Sequence, residues 1–208
     1  MEGQLRVGVT TFQGDVEEHL LATREAMRRL GVRGEVVTVK LPEEIGSVDA
    51  IIIPGGESTV MSRLAQRTKS LDVIRRRVFE GLPVLGTCAG LIFLASRVYD
   101  RVVGETRQPI LGVLDITVER NSYGRQRDSF EVQIPIPALN RDSFRAVFIR
   151  APSIVEVGTG VEVLATYAER AVAVRQGSVL GTTFHPELSG DTAFHEVLVT
   201  EAVKYSKR

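Results

Sequence analysis

The stretch Pro83–Ala95 places the only cysteine of the chain in a G-x-C-x-G turn, Gly86-Thr-Cys-Ala-Gly90. Pro83–Leu85 indicates the end of a short buried strand, and Leu91–Ala95 indicates the start of a buried helix. A sharp strand-to-helix turn is typical of a nucleophile elbow, which presents a side chain at the top of an α/β sheet. Glycines suit its flanks because they have no Cβ to clash or to forbid positive φ. The helix dipole and free amides beside Cys88 favour a thiolate, yet a buried structural cysteine fits this turn equally well.

Composition predicts an ordinary globular protein from a reducing compartment. The 208 residues, 43% of them hydrophobic, predict a single domain covering residues 1–208. Lys plus Arg and Asp plus Glu both number 26, so the net charge of zero favours neither nucleic acid nor an anionic membrane as partner. One cysteine cannot form an internal disulfide, and neither a signal peptide nor a long apolar run is apparent. We therefore expect a cytoplasmic protein.

Strand and helix patterns alternate along the first hundred residues. Strands are expected over Leu5–Val9, Glu35–Val39 and Asp49–Ile53, and helical patterns over Val16–Leu30, Thr59–Ala65 and Ser70–Gly81. Asp15 is expected to cap the first helix, with Glu18 completing a capping box, and Gly31 to end it. This alternation predicts an α/β fold with a doubly wound, mostly parallel, flavodoxin-like sheet and helices on both faces.

The pattern changes after about Tyr99. Short strands separated by turn residues predict an added region of antiparallel hairpins, and they are expected over residues 112–119, 130–136, 146–149, 161–167, 171–175 and 178–184. Gln176-Gly177 marks a tight turn. A last helix is expected over Thr192–Tyr205.

Three loops of the predicted sheet carry candidate functional residues. Gln13, the Gly55-Gly56 pair and Cys88 each follow a strand of the alternating region. Ligands of open α/β sheets bind at the carboxyl ends of the strands. The three loops are therefore expected to meet at one site.

Phe184-His-Pro-Glu187 follows a predicted strand and supplies groups that a thiol nucleophile needs. A cysteine nucleophile requires a base within hydrogen-bond reach, and the base requires a third group to fix its tautomer. His185 and Glu187 fit these roles, since extended residues i and i+2 lie on the same side. For His19 and His195, which lie in the first and last predicted helices, solvated or packing roles are expected.

Acyl transfer also needs donors for an oxyanion. The amide of Ala89, directly after the cysteine, is one donor by elbow geometry. The Gly55-Gly56 loop is the candidate for the second, because glycine lets the backbone approach a ligand closely. A simple glycine turn would explain this loop as well.

Taken together, these motifs resemble the triad class of glutamine amidotransferases. The motifs of the class are Pro54-Gly-Gly-Glu-Ser58, Gly86-Thr-Cys-Ala-Gly90 and Phe184-His-Pro-Glu187. The chain is similar in particular to one branch, the glutaminase subunits of pyridoxal 5′-phosphate synthase. The motifs of that branch are Phe12-Gln-Gly14, Glu57-Ser-Thr59, residues 118–126 with 128–130, and Phe148-Ile-Arg-Ala-Pro152.

The resemblance implies a role for each matching residue. Cys88 would be the nucleophile, His185 the base and Glu187 the residue that orients it. Gly56, Glu57, Ser58, Arg120, Ile149 and Arg150 would bind L-glutamine, Gly56 and Ala89 would form the oxyanion hole, and Gln13 would contact the partner. The implied reaction releases glutamate and ammonia without a metal or organic cofactor. The implied partner is a (β/α)₈-barrel synthase subunit that uses the ammonia to make pyridoxal 5′-phosphate.

Three other interpretations stay open. A triad amidotransferase of another pathway, such as the glutaminase of imidazole glycerol phosphate synthase, would share Cys88, His185 and Glu187. A cysteine peptidase on a similar α/β scaffold would not require the His-Pro-Glu motif in this arrangement. A binding subunit with an inactive site is disfavoured, because all three triad residues are present.

Overall fold

A computed structural model describes residues 4–100, 102–120 and 129–207. The elements up to the cysteine and the helix after it are β1 (Leu5–Thr10), α1 (Val16–Leu30), β2 (Gly34–Val39), α2 (Pro42–Gly46), β3 (Ala50–Ile53), α3 (Ser58–Arg67), α4 (Ser70–Phe79), β4 (Val84–Thr87) and α5 (Ala89–Leu94). There follow β5 (Ala95–Asp100), β6 (Gly104–Glu105), β7 (Leu114–Arg120), β8 (Ser129–Ile136), β9 (Arg141–Ile149), β10 (Ser153–Val157), β11 (Glu162–Tyr167), β12 (Arg170–Gln176), β13 (Val179–Thr182) and α6 (Ala193–Tyr205). None of the helices in these ranges is long and apolar enough to cross a membrane.

The central sheet has the strand order β11-β12-β13-β4-β3-β1-β2. Its five strands β2, β1, β3, β4 and β13 run parallel, and β12 and β11 extend one edge antiparallel. The parallel part has the order 2-1-3-4-5 of flavodoxin-like sheets. The fold class expected from the sequence is therefore confirmed.

Alternating side chains of β3 supply both faces of the sheet. Ile52 packs in the core shared with α1, α6 and the β8–β9 hairpin, whereas Ile51 and Ile53 pack in the core shared with α3, α4 and α5. All three isoleucines are fully buried. This explains the continuous β-branched run, because a central parallel strand has no solvent-facing side.

The region after β5 is only partly antiparallel. The strands β10-β7-β5-β6 form a second sheet, and β8 and β9 form a separate hairpin. The pair β5–β7 is parallel, although hairpins were expected here. The parallel direction arises because β6 occupies the opposite edge of β5, so the chain must cross back before β7 begins. Residues 121–126 and 128 of the branch motif lie outside the described residues.

Gly86 and Gly90 allow the chain to approach itself closely around the elbow. A Cβ at Gly90 would overlap the carbonyl of Ile53 at the end of β3, and a Cβ at Gly86 would lie 2.5 Å from Leu94 Cδ1. Neither glycine has a positive φ, which Cys88 itself adopts. The sequence therefore predicted the need for glycine correctly, and close packing is its cause.

Replacing Gly90 with alanine tests this packing. We expect Gly90→Ala to lower the free energy of unfolding by about 2–3 kcal/mol, because its Cβ would meet rigid backbone. Gly46→Ala is the matched control, since a Cβ there meets nothing within 4 Å, and it should change stability by less than about 1 kcal/mol. Urea unfolding measures both. Equal effects of the two substitutions would contradict the packing explanation.

Candidate active site

The loops after β1, β3 and β13 meet at the carboxyl edge of the sheet. A Cβ at Gly14 would overlap the carbonyl of Gly55, and the backbone N–H of Glu57 donates to Gln13 Oε1 at 3.1 Å. Gly55 in turn lies against the ring of His185, where a Cβ would be 2.5 Å from Cε1. Glycine at these positions lets three loops close around one point.

Cys88 stands in this cluster with an unusual backbone conformation. Its φ is +50° and its ψ is −103°, a combination that residues with a Cβ rarely adopt. Its N–H donates to Thr182 O at 2.8 Å, and its Sγ lies 3.7 Å from Ile149 O. Strained residues of this kind cluster at functional sites. The side chain is nearly buried, and α5 begins at the next residue.

His185 and Glu187 form a buried pair beside the cysteine. His185 Nδ1 lies 2.7 Å from Glu187 Oε1, and their side chains are 4% and 0% exposed. The backbone N–H of His185 donates to Val147 O at 2.9 Å, which ties the segment to β9. A short 3₁₀ helix, Pro186–Leu188, replaces the extended segment expected from the sequence. The turn still presents both side chains on the same side.

Asp15 has a different role from the expected one. It stands at the N-cap position of α1, but its side chain makes no capping hydrogen bond. Its Oδ2 instead lies 3.3 Å from His185 Nδ1. The expected capping box with Glu18 is therefore wrong, because the carboxylate faces the imidazole. Among the described residues, Asp15, His185 and Glu187 are the one group of donors close enough to share a metal ion, within 4.8 Å of one another.

The carboxylates and the thiol keep His185 protonated. Burial disfavours its charged form, but hydrogen bonds to Asp15, Cys88 and Glu187 outweigh this effect and raise the pKa of His185 to about 12. The hydrogen bond to His185 lowers the pKa of Asp15. Burial raises the pKa of Glu187, against the opposing effect of His185. The imidazolium therefore depends on acceptors held around it.

His19 and His195 lie behind Glu187 and are fully buried. His19 Nδ1 is 3.0 Å from His195 Nε2, and His19 Nε2 is 3.1 Å from Thr87 Oγ1 and 3.3 Å from Glu187 Oε2. Of the two roles expected for these histidines, packing is correct and solvation is wrong. The burial of His19 had a signal in the sequence, because it lies three residues after Val16 on the apolar face of α1.

Loop 55–58 and Arg120 belong to a second hydrogen-bonded group. The Glu57 carboxylate accepts from the backbone N–H of Thr59 and of Val60 at the start of α3. Arg120 Nε lies 3.0 Å from Asp100 Oδ2, and its Nη1 donates to Thr59 Oγ1 at 2.8 Å.

Gln108 joins this group, although the sequence did not single it out. Its Oε1 accepts from Arg120 Nη1 at 2.9 Å and lies 3.4 Å from the hydroxyl of the buried Ser58. Its Nε2 is buried without a hydrogen-bond partner. Gln108 thus connects Arg120 to the start of α3.

The remaining predicted residues belong to the turn after Cys88, the glycine loop and the end of β9. Ala89 is buried and follows it directly, and Gly56 has a φ of +140°, which favours glycine. Ile149 supplies the carbonyl near Sγ. Arg150 is exposed and has a φ of +48°. The structure therefore brings the Ile149 carbonyl to Cys88, whereas the Arg120 guanidinium contacts Asp100, Thr59 and Gln108.

Removing the Asp15 carboxylate tests its effect on the imidazole. We expect Asp15→Asn to lower the pKa of His185, because an anionic acceptor of its proton is lost. NMR titration of the histidine rings measures this shift. Asp72→Asn, at an exposed carboxylate on α4, should leave the titration of His185 unchanged. The same titration curve in the wild type and in Asp15→Asn would contradict the role given to Asp15.

Comparison with known proteins gives matches along nearly the full chain. The model of the SNO glutamine amidotransferase family matches residues 9–204, which include every candidate residue of the site. The pyridoxal 5′-phosphate synthase subunit PdxT of Staphylothermus marinus is 46% identical over 204 residues, which cover 96% of this chain and 100% of that protein. The subunit of the same name from Thermotoga petrophila is 50% identical over 200 residues, covering 96% and 100%.

A solved structure shares the fold. The crystal structure of a glutamine amidotransferase superposes with a TM-score of 0.81 at 43% sequence identity. The match covers 95% of this chain and 98% of that one. The likeness therefore extends over nearly the full length of both chains.

Proposed function

Because the chain belongs to the SNO glutamine amidotransferase family, we propose that it hydrolyses L-glutamine to L-glutamate and ammonia with Cys88, His185 and Glu187 as catalytic triad. The enzyme class expected from the sequence, a glutamine amidotransferase, is that of the family. The main support for this triad is the buried 2.7 Å contact between His185 Nδ1 and Glu187 Oε1, which lies beside a cysteine in a strained turn. A nucleophile, a base and an orienting group are thus close together.

The proposed reaction proceeds in two steps. The Cys88 thiolate attacks the γ-carboxamide carbon, the C–N bond breaks, and the imidazolium of His185 protonates the departing ammonia. His185 then takes a proton from water, which hydrolyses the γ-glutamyl thioester to glutamate. Glu187 holds the ring of His185 through both steps. The amides of Ala89 and Gly56 stabilise the oxyanion, a contribution of about 3 kcal/mol for each donor.

The proposed glutamine site lies between loop 55–58 and β9. The Ile149 carbonyl, close to Sγ, is an acceptor for substrate N–H groups. Arg120 and Arg150 are cations for the α-carboxylate, which arginine can bind through two hydrogen bonds. Glu57 and Ser58 shape the loop, Glu57 by capping α3 and Ser58 through Gln108.

Substitution of Arg120 tests the glutamine site. We expect Arg120→Met to raise KM for glutamine about tenfold or more, because a charged partner of the substrate is lost. Arg97→Met is the control, since Arg97 is exposed on β5 and pairs with Glu156. Steady-state ammonia release measures both variants. An unchanged KM in Arg120→Met would contradict the role of this arginine.

We also propose that the ammonia passes to a (β/α)₈-barrel synthase subunit that makes pyridoxal 5′-phosphate. The support is that both relatives are named as subunits of that synthase and are covered over their full length. Gln13, exposed beside loop 55–58, is the proposed contact to the partner. The chain would act as one domain, residues 1–208, in the cytoplasm. The alternative is a glutaminase that serves imidazole glycerol phosphate synthase. It would use the same triad, but neither relative is named as a subunit of that enzyme.

Mixing the chain with the barrel synthase tests the function. Ammonia release from glutamine should rise on mixing, because the partner is expected to complete the oxyanion hole by reorienting a peptide at Gly55-Gly56. Cys88→Ala should lower it about a thousandfold or more. Ser178→Ala, which lies far from Cys88 in the turn before β13, should leave ammonia release unchanged. Undiminished release by Cys88→Ala would contradict the triad, and equal rates with and without the synthase would contradict activation by the partner.

A further inference from the structure

Glu187 has one carboxylate oxygen for which the triad supplies no donor. Its Oε1 faces His185, but its Oε2 is buried and has no hydrogen-bond partner among the described residues. His19 Nε2 lies 3.3 Å from this oxygen, and both side chains are 0% exposed. A buried carboxylate stays ionised only where donors replace water. His185 and the backbone N–H of Glu187 favour the ionised carboxylate against the effect of burial, and the atom that His19 presents to Oε2 adds to or opposes their effect.

His19 is neutral in this position. Burial lowers its pKa well below 6.5, and the neighbouring His195 and His185 add to the effect. A neutral imidazole has one N–H donor and one acceptor nitrogen. The tautomer of His19 consequently decides whether Glu187 faces a donor or a lone pair.

The surroundings favour the tautomer with the proton on Nε2. That proton would face two oxygens, Thr87 Oγ1 at 3.1 Å and Glu187 Oε2 at 3.3 Å. Nδ1 would then accept from His195 Nε2 at 3.0 Å. In the opposite tautomer a lone pair of His19 would face Oε2, which would require Glu187 to carry the proton as a neutral acid.

We propose that His19 is a positioning residue of the reaction, whose Nε2–H keeps Glu187 ionised and thereby keeps His185 charged and oriented toward Cys88. This inference rests on the proposed triad and deepens it. His195 has a supporting part, because its N–H fixes the tautomer of His19. His19 on α1 and His195 on α6 thus connect these two helices to Glu187 at the carboxyl edge of the sheet.

Alkylation of Cys88 by iodoacetamide tests the proposal without glutamine or partner. His19→Leu removes the donor, so Glu187 should become protonated, His185 should lose its anionic partner, and the rate at pH 7 should fall about tenfold. His19→Gln keeps an N–H near the position of Nε2 and should restore the rate to within about threefold. Thr23→Val, one turn along the buried face of α1, is the matched control and should alkylate like the wild type. Thermal unfolding verifies that each variant is folded.

Two further measurements separate positioning from a merely structural role. In the complex with the synthase, His19→Leu should lower kcat for glutamine and leave KM unchanged, since His19 does not line the substrate site. In the wild type, ¹H–¹⁵N spectra of the three histidine rings should show His19 protonated on Nε2 alone at pH 7. This spectrum needs no variant.

The outcomes distinguish this inference from the proposed function. A His19 protonated on Nδ1, or an unchanged alkylation rate in His19→Leu, would overturn the role of His19 even if ammonia is released. A wild-type complex that releases no ammonia would contradict the proposed function, while slow alkylation in His19→Leu and its rescue in His19→Gln would still support the effect of His19 on Cys88.

Discussion

The contact between Gly90 and the carbonyl of Ile53 determines where the Cys88 thiol lies. A side chain at residue 90 would push the start of α5 away from the end of β3. Without one, the turn is tight enough that Cys88 takes the positive φ itself. The loop after Ile53 then lies directly beside the turn and places Gly55 against His185. This backbone contact thus helps to bring Cys88, the Gly55-Gly56 loop and His185 together.

Burying the charged groups of this site costs desolvation free energy, which contacts with neighbouring polar side chains offset. Glu187 is fully enclosed, and an isolated carboxylate there would take up a proton. Its neighbour His185 supplies a charge on one side, and His19 lies on the other. Asp15, nearly half exposed, adds a second acceptor at the solvent side of His185. Because these groups lie so close together, the protonation of His185 depends on the whole cluster of acceptors around it.

Local motifs and sheet topology allowed the sequence to predict that Cys88, His185 and Glu187 lie close together, but not which residues contact them. The turn around Cys88 and the His-x-Glu spacing are short-range patterns, and the rule for parallel strands places them at one edge. His19 depends on His195, 176 residues away, so helical spacing indicated its burial but could not indicate its partner. Asp15 is a residue type that often caps helices, and its sequence position gave no sign of His185. Only the tertiary structure shows that its carboxylate lies against that imidazole. Gln108 lies in a segment without periodicity, so no pattern marked it.

The proposed reaction requires that the thiol of Cys88 forms the covalent intermediate with glutamine. Mass spectrometry of the chain, quenched by acid during glutamine turnover in the presence of the synthase, shows where this intermediate forms. We expect a γ-glutamyl adduct on the peptide that contains Cys88, formed on that residue alone. An adduct on another residue, or sustained ammonia release with Cys88 blocked by prior alkylation, would contradict it.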